Sequence, residues 1–260
     1  MKPRYAIILL ALVFIIGLIV LAPATLIQGP ANRAMAPNAA VAVTSGTIWS
    51  GSGTLALFPT ARSVIVPITW RFDPLALLRL RLGFYLSANS SALAGNARVG
   101  AGITSIELRD TDMKIDGALI SRSNSMLSLF GPRGTLHLKI NDGDRIITPY
   151  QTQSGIRTAE GKLAVKFDSL TLRNLSSRPL GTYDIAVKLN NSTAEYAFVN
   201  CAGNLKFDGG GTVTWGNART FVYRGLASTP RESSFLLAPL LAVGRPTADG
   251  RLQINYSTNW

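Results

Sequence analysis

Cysteine and histidine are nearly absent from this sequence, and their scarcity excludes several kinds of site. The chain of 260 residues has one cysteine, Cys201, and one histidine, His137. A single cysteine forms no intramolecular disulfide, and this pair gives none of the spacings typical of zinc sites. A Ser-His-Asp triad would have to use His137, and no Gly-x-Ser-x-Gly elbow accompanies it. His137 lies on the polar side of the alternating stretch GTLHLKI, where we expect it to face solvent.

Acidic residues are also scarce, at 14 against 26 lysines and arginines, which leaves a net charge of +12. Their densest group is ELRDTDMKID, with Glu107, Asp110, Asp112 and Asp116. Basic residues lie among these carboxylates, so a solvated strand face is favoured over a carboxylate metal site. Phosphate-binding loops are missing, as are aromatic residues stacked in a basic stripe. We therefore predict no catalytic, cofactor-binding or metal-binding residues, no enzymatic activity and no nucleic-acid partner.

One long apolar run, residues 6–22, follows the basic residues Lys2 and Arg4. Such a run is close to the length of a membrane-spanning helix, and basic residues before it favour a cytoplasmic N-terminus. A cleaved signal peptide ending at the APA of residues 22–24 is the alternative. We predict a cytoplasmic tail (1–5), a single transmembrane anchor (6–22), a linker (23–40) and an extracytoplasmic β domain (41–260).

The rest of the chain alternates with the two-residue period of β-strands. In GRLQINYS, for example, Leu252, Ile254 and Tyr256 alternate with polar residues. Asp-Gly and Gly-Gly pairs in NDGD, FDGGG and ADG predict tight hairpin turns. The fold class is mainly β: a long, curved antiparallel sheet, half-barrel-like, with one or two short helices.

Two apolar stretches interrupt the strand pattern. FDPLALLRLRLG predicts a helix capped by Asp73, begun at Pro74 and stopped at Gly83, although an extended segment over residues 78–82 is also open. RESSFLLAPLLAVGRP predicts a short helix that ends at Gly244 and is bent at Pro239. A short apolar helix of this kind would close one end of a curved sheet.

A glycine-framed tryptophan opens the β region, in the stretch SGTIWSGSGTLAL. Because glycines leave room for an indole, Gly46 and Gly51 predict that Trp49 packs flat on the backbone and is largely buried at a sheet corner. Trp70 follows in PITWRFDP and is expected nearby, and Gly250 marks the last hairpin. We assign these five residues a structural role.

In their order and spacing, these features resemble the family of type II secretion system protein N. The shared elements are the basic N-terminus with its apolar run, SGTIWSGSG, ITWRFDPLALLRLRL and LLAPLLAVGRPTADGRLQINYS. The resemblance implies an accessory protein anchored in the bacterial inner membrane, with a periplasmic β domain. Its partners would be other subunits of the machine that exports folded proteins across the outer membrane.

A lipid-handling role is the alternative function. The apolar face of a curved sheet would shelter acyl chains, and the arginine excess would meet anionic head groups. The predicted groove residues are Leu136, Leu138, Val165, Phe167, Ile185 and Val187.

Overall fold

The structure, a computed structural model, describes residues 3–36, 39–57, 63–123, 131–150, 158–172, 178–216 and 219–259. The fold is mainly β and its framework is one antiparallel sheet, as the sequence predicted; the sheet has 15 strands. Most strands pair with their neighbours in the chain. The exceptions are β8, which pairs with β6 and β9, and β15, which lies between β13 and β14.

The elements have the following bounds. The strands are β1 Ala39–Gly46, β2 Ser50–Leu57, β3 Val64–Asp73, β4 Leu82–Asn89, β5 Leu93–Ala101, β6 Ser105–Asp116, β7 Pro132–Lys139, β8 Ile146–Pro149, β9 Glu160–Leu172, β10 Gly181–Asn190, β11 Thr193–Gly203, β12 Lys206–Thr214, β13 Thr220–Ser228, β14 Gly244–Pro246 and β15 Leu252–Asn259. The α-helices are α1 Pro3–Val20, α2 Thr25–Met35 and α3 Gly117–Ser123, and two 3-10 helices span Pro74–Arg79 and Arg231–Ala242.

Burial in the last strand, β15, follows the predicted alternation. In β15, Leu252 and Ile254 are buried, whereas the residues between and beside them, Arg251, Gln253 and Asn255, are exposed. An antiparallel sheet with one dry face produces this pattern because successive side chains point to opposite faces.

The buried core lies in the C-terminal half of the sheet. It is formed by Leu180, Tyr183, Leu205, Tyr223, Ala227, Leu236, Leu252 and Ile254. Leu236, at 2% exposure, comes from the second 3-10 helix, so this helix contributes to the core on the apolar face of the sheet. The Tyr183 hydroxyl donates a hydrogen bond of 2.8 Å to the Leu205 carbonyl, and burial raises the pKa of this tyrosine.

The glycines of FDGGG do not form the predicted turn. They lie inside β12, where tyrosine side chains approach the backbone across neighbouring strands. A Cβ on Gly211 would lie 2.9 Å from the Tyr196 hydroxyl, which donates to the Val222 carbonyl at 3.0 Å. The other two predicted turns are present: Asp144 N–H bonds to the Asn141 carbonyl, and Gly250 N–H to the Thr247 carbonyl.

The helix predicted in FDPLALLRLRLG begins as expected and ends early. The Asp73 carboxylate accepts from the Leu75 amide at 3.1 Å, so Asp73 is the cap. The segment is a 3-10 helix that ends where Leu80 enters the left-handed region, with φ 53°; Gly83 already belongs to β4. In the second 3-10 helix the non-helical backbone is at Ser233, not at Pro239, and Gly244 begins β14.

Helix α2 occupies most of the segment predicted to be a linker. Its Asn32 side chain donates to the Val41 carbonyl at 3.1 Å and accepts from the Val41 amide at 2.6 Å. Gln28 accepts from the Val43 amide at 3.4 Å. Side-chain amides thus satisfy part of the outer edge of β1, a position where open backbone groups invite pairing with another chain.

Helix α1 covers most of the predicted anchor. Large apolar side chains along its described part are exposed, including Leu10 at 72%, Phe14 at 65% and Leu18 at 58%. Among the residues that the structure describes, no helix combines the length and the hydropathy needed to cross a membrane.

Candidate functional site

The chain that leaves α1 is held directly by the turn between β1 and β2. The Ala22 carbonyl accepts from the Ile48 amide at 3.0 Å, and the Ala24 amide donates to the Gly46 carbonyl at 3.2 Å. Between them, Pro23 and Thr47 form a β-bridge. The end of α1 is therefore fixed to one corner of the sheet.

Trp49 strengthens this attachment. Its Nε1 donates to the Ile19 carbonyl of α1 at 2.8 Å. Its ring meets Phe72 edge-on, with centroids 4.9 Å apart, and its own carbonyl accepts from the Phe72 amide at 2.6 Å. The side chain is half-buried, so the expected deep burial is not found. Its position at the boundary between helix and sheet leaves one side of the indole without cover.

Trp70 is the tryptophan that packs on the glycines. It is 6% exposed, and its Nε1 donates to the Thr47 carbonyl at 3.2 Å. A Cβ on Gly51 would lie 2.5 Å from the Trp70 ring and 2.6 Å from the Ser45 carbonyl oxygen. The glycines predict an indole packed on the backbone, but that indole belongs to Trp70 and not to Trp49. Gly51 lies opposite Trp70 because of the register between β2 and β3, which the local sequence does not reveal.

The other two glycines of the proposed structural set lie at turns. Gly46 ends β1 with φ +104°, and Gly250 precedes β15 with φ +77°. Both angles favour glycine, because a Cβ is strained in the left-handed region.

A buried ion-pair network lies beneath the first 3-10 helix, and its first centre is Asp73. This carboxylate is 2% exposed and accepts from Arg98 Nε at 2.7 Å and from Arg98 Nη2 at 2.6 Å. Arg98 also reaches Asp110 at 3.1 Å and lies 4.8 Å from the centroid of the Tyr85 ring. Although burial opposes it, the hydrogen bonds that Arg98 donates to these carboxylates raise its pKa. Asp73 thus fixes Arg98 as well as capping the helix.

Glu107 is the second centre of the network, at 3% exposure. Three arginines converge on it: Arg81 at 3.2 Å, Arg109 through Nε at 2.6 Å, and Arg145 at 3.5 Å. Arg81 Nη1 is buried beside it without a hydrogen-bond partner. Sequence reasoning placed Glu107 on a solvated face. The available signal was the arginines in or just before the strands around it: Arg81 just before β4, Arg109 in β6 and Arg145 just before β8.

The remaining candidate polar residues are spread over the surface. Asp110, Asp112 and Asp116 are exposed, as expected for a solvated strand face. Among the described residues, no group of histidine, cysteine and carboxylate side chains is arranged to hold a metal ion. His137 is half-buried and its Nε2 lies 3.0 Å from Asp168, so it is partnered rather than freely solvated.

An apolar cavity of about 420 Å³ lies between α2 and strands β1–β6. Its walls include Ile27 and Ala31 of α2, and Leu55, Ile68 and Val99 of the sheet; Gln28 and Ser87 contribute polar side chains. Trp70 lies in the same wall, so the cavity adjoins the attachment corner.

The residues predicted to line a lipid groove share one face of the sheet. They lie in β7, β9 and β10, outside the walls of this cavity. Leu136 faces Phe167 across β7 and β9, and Ile185 faces Val165 across β10 and β9. Phe167 and Ile185 pack against the buried core. Their face is thus partly closed by the protein itself.

Comparison with known protein families gives a match over most of the chain. The family model described as type II secretion system (T2SS), protein N, matches residues 37–255. None of the curated proteins and none of the solved structures compared with the chain matches it.

Proposed function

Because the chain belongs to the family of type II secretion system protein N, we propose that it is an inner-membrane-anchored, periplasmic accessory component of that machinery. It would act through protein–protein contacts with other secretion subunits in the export of folded proteins across the outer membrane. The match over residues 37–255 is the observation that carries this proposal.

The N-terminal sequence supports the anchored location. Residues 6–22 are uninterruptedly apolar behind Lys2 and Arg4, which favours a single pass with the N-terminus in the cytoplasm. The exposed apolar side chains of α1 are consistent with a nonaqueous surrounding, since contiguous exposed apolar surface marks a membrane or protein contact.

The ion-pair network supports a structural rather than a catalytic role for the buried carboxylates. A general base needs an accessible carboxylate within reach of a substrate proton. Asp73 is occupied by Arg98 and by a helix-capping bond, and Glu107 is occupied by three arginines. We therefore propose that the protein is not an enzyme.

Photocrosslinking in cells that carry the whole secretion system tests this function. A photoreactive residue at Ile65, Val199 or Phe235, which are 64%, 71% and 57% exposed, leaves the buried core intact. We expect at least one position to capture an identified secretion subunit, and the same variants in cells that lack the other secretion subunits serve as the negative control. Capture of no subunit at any exposed position, together with normal export in a deletion strain, would contradict the proposal.

Lipid handling is a second candidate function, and the cavity beneath α2 favours it. Ligand cavities commonly measure about 300–1,000 Å³ and have mainly apolar walls. The cavity beneath α2, at about 420 Å³, falls within that range. An acyl chain would fit its apolar character, and the basic surface would attract an anionic head group.

A cavity-filling variant distinguishes lipid bound in this cavity from lipid that surrounds the proposed membrane anchor. Ala31→Phe places a ring in the cavity, whereas Ala36→Phe adds the same ring at an exposed position just beyond α2. After purification and solvent extraction, mass spectrometry should find less phospholipid with Ala31→Phe than with the wild type or Ala36→Phe. Equal amounts in all three proteins would argue against a lipid in this cavity.

A further inference from the structure

One end of the sheet carries the most exposed large apolar side chains among the described residues. They are Ile103 at 89%, Leu78 at 84% and Leu80 at 82%. Leu75, Leu82 and Tyr150 are also exposed, at 63%, 48% and 49%. These six residues are called the apolar rim below. Isolated surface leucines are ordinary, but an exposed apolar group of this size marks a contact surface.

Strand register brings the apolar rim together from distant parts of the chain. Leu82 pairs with Ala101, which places the Leu80–Leu82 segment beside the turn that carries Ile103. The Tyr150 amide donates to the Thr104 carbonyl of the same turn at 2.9 Å. The rim therefore follows one end of the sheet from β3 to β8.

The same end of the sheet holds helix α1. Arg71 pairs with Ser50, so the last residues of β3 lie beside the β1–β2 turn. That turn binds the chain leaving α1 through Ile48 and Trp49, and Phe72 links Trp49 to Phe84 of β4 through edge-on ring contacts. Neighbouring strands are about 4.8 Å apart, so the rim lies within roughly 20 Å of the helix attachment.

Two exposed arginines lie beside the apolar rim, which favours an anionic surface as its partner. Arg79 is exposed between Leu78 and Leu80, and Arg71 is exposed one strand end away. Leu80 has φ 53°, an unfavourable angle for a residue with a Cβ, where glycine would fit without strain. Leu80 takes this conformation as the C-cap of the first 3-10 helix, and its side chain is 82% exposed beside Arg79.

From this arrangement we infer that the apolar rim inserts into the surface of the membrane that holds α1, with Arg79 and Arg71 at the anionic head groups. This inference rests on the anchoring proposed above. The aromatic ring of Tyr150 and the aliphatic side chains suit the boundary between head groups and acyl chains. Because α1 is bonded directly to the sheet, the rim and the helix end face the same bilayer surface.

Depth-dependent quenching in vesicles tests the inference on the full chain. In a Cys201→Ser background, a single fluorescent label is placed at Ile103→Cys or Leu78→Cys, and in a control at Val199→Cys, which is 71% exposed in β11. The vesicles contain phosphatidylethanolamine and phosphatidylglycerol, with acyl chains brominated near the head group. We expect several-fold stronger quenching at positions 103 and 78 than at position 199.

The outcomes distinguish insertion of the apolar rim from membrane anchoring of α1 and from contact with a protein partner. If the chain resists an alkaline carbonate wash but labels 103 and 78 quench no more than label 199, the inference is overturned and the anchoring stands. If the wash removes the chain, both fail. Crosslinks from positions 103 and 78 to a secretion subunit, without quenching, would assign the rim to a protein partner and overturn the lipid assignment. Leu80→Gly should weaken quenching at 103 without lowering Tm, and a lowered Tm would count against its contact role.

Discussion

Trp70→Ala is expected to destabilise the protein far more than Trp49→Ala. Trp70 is almost fully buried and packs against Gly51, so its removal leaves a cavity and an unpaired Thr47 carbonyl. Truncation of a buried tryptophan typically costs about 3–5 kcal/mol. For a domain of about 200 residues that corresponds to a fall in Tm of roughly 6–20 °C. Because total stabilities are about 5–15 kcal/mol, the folded fraction in cells should also fall.

Thermal melting of the full chain in detergent micelles measures the difference. Trp49→Ala is the matched control, since it removes the same side chain from a half-buried position nearby. Trp70→Phe keeps much of the packing but not the hydrogen bond, and should fall between Trp70→Ala and wild type. An equal or larger fall in Tm for Trp49→Ala would show that this corner is stabilised mainly by the attachment to α1 and not by the packing of Trp70 on Gly51.

Glu107→Gln should be the second severely destabilising change. It removes the negative charge around which Arg81, Arg109 and Arg145 converge at a site with 3% exposure. Removing one partner of a fully buried ion pair typically costs about 3–5 kcal/mol, because the charge left behind has lost its compensation. Because Arg81 and Arg109 are about one-fifth exposed and Arg145 is about half exposed, solvent lowers this cost. We expect the free energy of unfolding, measured from the urea midpoint, to fall by an amount in the lower part of that range, with the β4 and β6 ends of the sheet affected most.

Asp110→Asn provides the control for Glu107→Gln. Asp110 also pairs with an arginine, but its side chain is 41% exposed. Exposed pairs of this kind are worth about 0–1 kcal/mol, since water already solvates both charges. A similar fall of the midpoint in the two variants would mean that burial does not govern the strength of this network.

The sheet was predictable because its information is local. Alternation over eight residues identifies a strand such as β15, and Asp-Gly pairs identify the turns at Asn141 and Gly250. FDGGG failed as a turn because the same glycines also suit a strand crossed by tyrosine side chains. Whether these glycines form a turn or a strand depends on the contact with Tyr196 of a neighbouring strand. No short stretch of sequence contains both partners of this contact.

The site was less predictable because its contacts join distant segments. Glu107 is contacted by arginines from the residue before β4, from its own strand and from the residue before β8, a convergence that only the folded sheet creates. Helix α2 was missed for a related reason. Its sequence TLIQGPANRAM contains Gly29 and Pro30, which disfavour helix, and its contacts with β1 compensate through Asn32.

The order of the strands has a consequence for how the protein folds. Since most strands pair with the strand made just before them, each new hairpin can add to the growing edge as the chain is delivered from its N-terminus. Contacts between sequence neighbours close small loops at little entropic cost, which favours fast assembly. Two steps wait: β7 finds its partner β9 after β8 has been made, and β13 finds β15 after the second 3-10 helix and β14 have been made. The C-terminal hairpin of β14 and β15 should therefore pair last, after most other strands have paired in chain order.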